Sequence, residues 1–118
     1  MKNRIQNLTL TLISMSLLSV SLSAIETTPV EYKYDNEVGK TLYKKCSACH
    51  GDKGQNKALG KSDVIGLISE KELYISLKGY KEGKINKHNM GPLMKGQLIT
   101  TTDNEMKTLA TYISKLQK

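Results

Sequence analysis

Apolar positions recur with helical period in three segments of the chain, and glycine-bearing stretches without any period separate them. Asp35 or Asn36 can cap a first helix running to about Cys49, with Val38, Leu42, Cys46 and Cys49 at steps of four, four and three as its expected apolar face. A second helix is announced by Ser69 and Glu72 as a capping box and by Ile68 and Leu73 as a hydrophobic staple. Its expected buried side is Leu73, Leu77 and Tyr80, and Gly79 or Gly83 should end it. The third helix carries the clearest pattern: Thr102 and Glu105 form another capping box, and Met106, Leu109, Ile113 and Leu116 follow at three-four spacing. Between helices lie two long loops, Gly51 to Gly66 and Gly83 to Thr101. There is no strand-like alternation, internal repeat or low-complexity run, so the pattern predicts an all-α domain of three main helices and two long loops. Loops of that length in a small domain usually carry function.

The chain before this domain reads differently. Lys2 and Arg4 precede an uncharged apolar run from Leu8 to Leu22, and small residues follow at Ser23 and Ala24. A basic start, an apolar centre and a small-residue exit make residues 1–24 a secretory signal peptide, the run being short for a membrane span of roughly 20 residues. Residues 25–35, polar and interrupted by Pro29, are expected to form a flexible N-terminal segment ahead of the domain at 36–118.

Composition sharpens this picture in two ways. The chain has no Trp or Phe and only six tyrosines, a thin supply of core for a domain this small, so a staple or cofactor is expected at its centre. Of the 18 basic residues, Lys2 and Arg4 fall in the leader; the remaining 16 are all lysine and face 11 acids, a formal balance of +5. That favours partners with acidic faces. Nucleic acid is a poor reading, because no arginine remains to grip base edges and the lysines are scattered rather than clustered.

The chemistry concentrates in Cys46-Ser47-Ala48-Cys49-His50. Two cysteines three apart on a helical turn present both sulfurs on one side, where they can add to the two vinyl groups of a haem. The histidine that follows is placed to turn a ring nitrogen onto the iron. A disulfide, a thioredoxin-like redox pair and half a zinc site are the alternatives. A redox pair of that kind expects a β-α-β setting, which the pattern lacks, and a zinc site would find only His88 as a further ligand. Haem attachment is therefore the reading, with Cys46 and Cys49 as covalent anchors and His50 as the first axial ligand. For the second axial position the loop Gly83 to Thr101 supplies two thioethers, Met90 and Met94, and one imidazole, His88. Methionine there raises the potential and closes the iron to small molecules.

From Asn36 to Lys118 the chain resembles the small class I cytochromes c of bacterial periplasms. CSACHG matches the family's haem motif; Gly39 and Tyr43 with Tyr112 match its meeting of the N- and C-terminal helices; and in MGPLMKG the family's spacing to a lysine-glycine pair, here Lys95 and Gly96, picks out Met90. Met94 is then a packing residue, and Met94 and His88 are the less favoured ligands. The resemblance implies the class I cytochrome c fold around one covalently bound haem c per chain, and a soluble, periplasmic electron carrier rather than an enzyme; a monomer is the default expectation. Its exposed haem edge, ringed by lysines, would dock on acidic surfaces of a donor cytochrome complex and of an acceptor such as a terminal oxidase or cytochrome c peroxidase. Rival readings are a peroxidase-type haem enzyme with an open iron position and a membrane-tethered cytochrome subunit.

One departure from the family matters. No proline lies between His50 and Pro92, so a carbonyl of the Gly51 to Gly66 loop is expected to orient His50 instead. His50 and Met90 should face each other across an apolar slot walled by Leu59, Val64, Ile65, Leu67, Leu73, Leu77 and Leu93. Tyr80 is a candidate donor to a haem propionate, with core packing as its other reading.

Overall fold

The computed structural model describes residues 31–118, so the expected signal peptide at 1–24 lies outside the described residues, as does the first part of the 25–35 segment. Four α-helices follow one another: α1 Asn36–His50, α2 Glu70–Lys81, α3 Gly91–Leu98 and α4 Asp103–Ile113. Short 3-10 turns at Ala58–Gly60, Ile65–Leu67 and Lys87–Asn89 punctuate the connections. Among the described residues there is no strand, and no helix is long and apolar enough to cross a membrane. The all-α expectation holds, with one helix more than expected: α3 sits inside the stretch read as a loop. Pro92 at its first turn is a helix-start residue, and Met90, Met94 and Leu98 recur at steps of four; Gly91 and Gly96 hide that signal.

Each of the three expected helices starts where its cap chemistry places it. The Asp35 carboxylate accepts from the Glu37 and Val38 N–H groups at 2.9 and 3.1 Å. Ser69 Oγ accepts from the Glu72 N–H at 3.3 Å. At α4 both halves of the Thr102–Glu105 box are made. α2 runs past Gly79 and ends at Gly83, which takes φ +74°, a left-handed value that costs glycine little. The Gly83 N–H then donates to the Tyr80 carbonyl and the Lys84 N–H to the Gly79 carbonyl, the two bonds of a Schellman stop.

α4 packs against both α1 and α2, and α2 against α3. Leu109 and Ala110 are fully buried and Ile113 nearly so, joined by Tyr43, Leu73, Leu77, Leu98 and Met106. Each large apolar side chain of this set contributes about 1.5–3 kcal/mol by leaving water. The buried face of α1 is not the expected one. Gly39, Tyr43 and His50 are buried with Cys46 and Leu42 half-buried, whereas Val38 is 45% exposed and Cys49 is exposed. The helix is rotated by about one residue because α4 approaches it at Gly39. A β-carbon there would stand 2.8 Å from Tyr112 Cβ, so only the bare backbone fits. The Tyr112 and Tyr43 rings meet beside it, tilted at 48° with centroids 5.6 Å apart.

Residues 31–35 lead into α1 with Tyr32 and Tyr34 half-buried. Lys115 beyond α4 lies 4.1 Å over the Tyr34 ring, a cation–π contact, so this end of the expected flexible segment lies against the helical body.

Candidate cofactor site

His50 is the last residue of α1, and its backbone is pinned from both sides. The Asn56 N–H donates to the His50 carbonyl at 2.9 Å, and the buried Tyr43 hydroxyl donates to the next carbonyl, Gly51, at 2.6 Å. The imidazole is buried, and its Nδ1 has no hydrogen-bond partner. The expected orienting carbonyl from the Gly51 to Gly66 loop is thus not engaged; burial and the pinned backbone hold the ring. Burial also lowers the His50 pKa, which keeps the ring neutral and its lone pair available to a metal. A buried, unpartnered ring nitrogen costs about 1–3 kcal/mol unless a ligand takes part in the site.

The ring opens into a cavity of about 360 Å³, within the roughly 300–1,000 Å³ of cofactor-sized sites. α1 brings Cys46, Cys49 and His50 to its wall, α2 brings Leu73, Leu77 and Tyr80, the turn into α3 brings His88 and Met90, and α3 brings Leu93 and Met94. Both sulfurs are free thiols, Cys46 half-buried and Cys49 exposed. Burial raises the Cys46 pKa, so it stays protonated. Every residue singled out as a haem anchor or ligand therefore reaches one cavity. So does Tyr80, whose hydroxyl pKa burial raises, leaving it a hydrogen-bond donor.

Five of the seven expected wall residues line the cavity: Leu59, Ile65, Leu73, Leu77 and Leu93. Val64 and Leu67 do not. In the tight turn Ile65–Leu67, Gly66 is pressed against the backbone, where a β-carbon would stand 2.4 Å from the Lys53 carbonyl oxygen; this leaves Leu67 facing out, 74% exposed. Ile68, Leu98 and Ile113 complete the apolar wall instead. Ile113 belongs to the apolar stripe of α4, but Leu98 gave no signal because α3 itself was hidden. Asp63 is a further rim residue that spacing did not mark. Its carboxylate lies 3.2 Å from Lys87 Nζ and 3.7 Å from His88 Nε2, which lowers its pKa and links the two loops.

The three candidate second ligands differ in what else they do. Met94 is half-buried and packs against the hydrophobic core. His88 is exposed and faces Asp63. Met90 lines the cavity from the N-cap of α3, where its carbonyl accepts the Met94 N–H at 2.9 Å. Among the described residues no three His, Cys, Asp or Glu side chains converge as a bare-ion site would need. An apolar cavity lined by two thiols, a buried imidazole and two thioethers fits a porphyrin and its iron.

A family model described as cytochrome c matches residues 37–117, nearly the whole described chain, and the chain belongs to that family. Membership implies a covalently bound haem c. Among its curated relatives, a cytochrome c-553 of Helicobacter pylori strain J99 is 42% identical over 78 residues, covering 66% of this chain and 77% of that protein. The cytochrome c-553 of Helicobacter pylori strain 26695 is 41% identical over the same shares. That of Nitratidesulfovibrio vulgaris strain Miyazaki F is 36% identical, covering 66% of this chain and 76% of its own.

Proposed function

We propose that this protein is a single-haem electron carrier of the periplasm, with Cys46 and Cys49 as thioether anchors and His50 and Met90 as axial ligands. The observation that carries the reading is that His50, buried with Nδ1 unpartnered, lines the same apolar cavity as Cys46, Cys49 and Met90. When bound, the haem supplies one iron that gains or loses a single electron. The protein's part is to hold that centre still. α1 fixes both anchors and His50 on one rigid element, and Met90 reaches in from the turn before α3. The apolar walls exclude water, so little reorganises when the charge changes.

Met94 is the weaker ligand because the core already employs it, and His88 because it faces Asp63. Exposed Leu59, Leu93 and Cys49 at the cavity mouth suit brief docking, and the excess of lysine steers the protein toward acidic redox partners such as a donor cytochrome complex, a terminal oxidase or a peroxidase. A peroxidase-type enzyme would want a charge-stabilising arginine beside the iron, and the chain has none after Arg4. Mass spectrometry of purified protein should show an adduct of roughly 600 Da, as haem attached at both cysteines requires. The oxidised protein should be low-spin with the weak near-infrared band of thioether-bound iron, lost in Met90→Ala and kept in Met94→Ala. A high-spin spectrum, or loss of the band only in Met94→Ala, would overturn the assignment.

A further inference from the structure

His88 and Asn89, immediately before Met90, both take left-handed backbone angles, φ 54° and 60°. Asparagine tolerates that region; for histidine it is uncommon, and two such residues in a row mark a turn held in place by its surroundings. Apart from the Lys87–Asp63 ion pair, the holding contacts are local: the Asn89 N–H donates to the Asn86 carbonyl at 3.3 Å. Asn86 Oδ1 accepts from the Gly91 N–H at 2.8 Å, and the Met90 N–H donates to the Lys87 carbonyl at 3.0 Å. The His88 side chain lines the same cavity as His50 and Met90, with Nε2 3.7 Å from Asp63 Oδ1 across the mouth. That contact is solvent-exposed on both sides and readily exchanged.

We propose that His88 is a reserve axial donor, which takes the iron position whenever the Met90 thioether leaves it and is held aside meanwhile by Asp63. The inference rests on Met90 being the resident ligand. Met94 is a poor substitute because leaving the core would open a void, whereas His88 sits two residues from Met90 on a turn that relaxes when it moves. A donor tethered that closely competes at a millimolar-scale effective concentration.

The test uses the haem-loaded full-length protein with free imidazole as probe. Met90→Ala should lose the near-infrared thioether band yet stay low-spin, and Met90→Ala/His88→Ala should turn high-spin. Imidazole should restore the low-spin spectrum of the double variant, which shows an intact open site, and bind it at least about tenfold more tightly than Met90→Ala, where His88 competes. A high-spin Met90→Ala that takes up imidazole as tightly as the double variant overturns the reserve role and leaves Met90 as the ligand. A double variant that remains low-spin hands the position to Lys87 or Met94 and also overturns it. Persistence of the thioether band in Met90→Ala removes the underlying assignment itself.

Discussion

The crossing of α1 and α4 and the turn before α3 both serve the same cavity, yet they are built on opposite terms. At the crossing, bare backbone at Gly39 admits Tyr112, the Tyr43 ring packs alongside, and the Tyr43 hydroxyl ties down the carbonyl next to His50. Nothing there can shift without disturbing buried atoms. The turn at 86–90 instead carries two left-handed residues, exposed side chains, and a Lys87–Asp63 ion pair and His88–Asp63 contact open to solvent. The two proposed axial donors are thus held with unequal firmness. His50 is fixed by packing, and Met90 by a turn that local contacts keep in place.

Substitutions can break this contrast from either side. The largest effect is expected for Gly39→Val, whose side chain would collide with Tyr112 close to its backbone. Denaturant unfolding should show a loss of about 3 kcal/mol, with the His50 signals in the spectrum disturbed as well. Tyr43→Phe should cost about 1–2 kcal/mol by leaving the buried Gly51 carbonyl without its donor.

Tyr43 also sharpens the contrast through pH. Burial pushes its pKa from 10.0 up to about 12, so the folded state holds the phenol proton more tightly than the unfolded chain does. Its contribution is fully present below pH 10.0 and is lost as pH rises toward about 12. Stability measured across that window should fall in the natural protein, and less steeply in Tyr43→Phe. The smallest effect belongs to the turn. Asp63→Asn should lower global stability by under about 1 kcal/mol, less in high salt, as exposed pairs do. A large loss there would erase the distinction between the two regions.

Much of the site is local in origin and could be read before any fold was known. Two thiols three apart followed by histidine state their chemistry wherever the chain goes, and the caps at Asp35, Ser69 and Thr102 act on the next few N–H groups alone. The expected face of α1 failed because hydropathy gives weight to side chains, and the residue that sets the helix rotation, Gly39, has none. α3 was illegible because two glycines mask a helix that tertiary packing on α2 holds in place. Leu67 failed because one backbone approach at Gly66 decides which way its turn faces.

By itself, then, the sequence determined the helices that begin at strong caps, and it supplied the haem-attachment motif and the candidate donors, because each depends on neighbours a few residues away. Tertiary structure alone decided which face α1 buries, that Leu98 joins the cavity wall while Leu67 faces out, and that Asp63 reaches His88. Those outcomes turn on close approaches between segments dozens of residues apart, which no local pattern encodes.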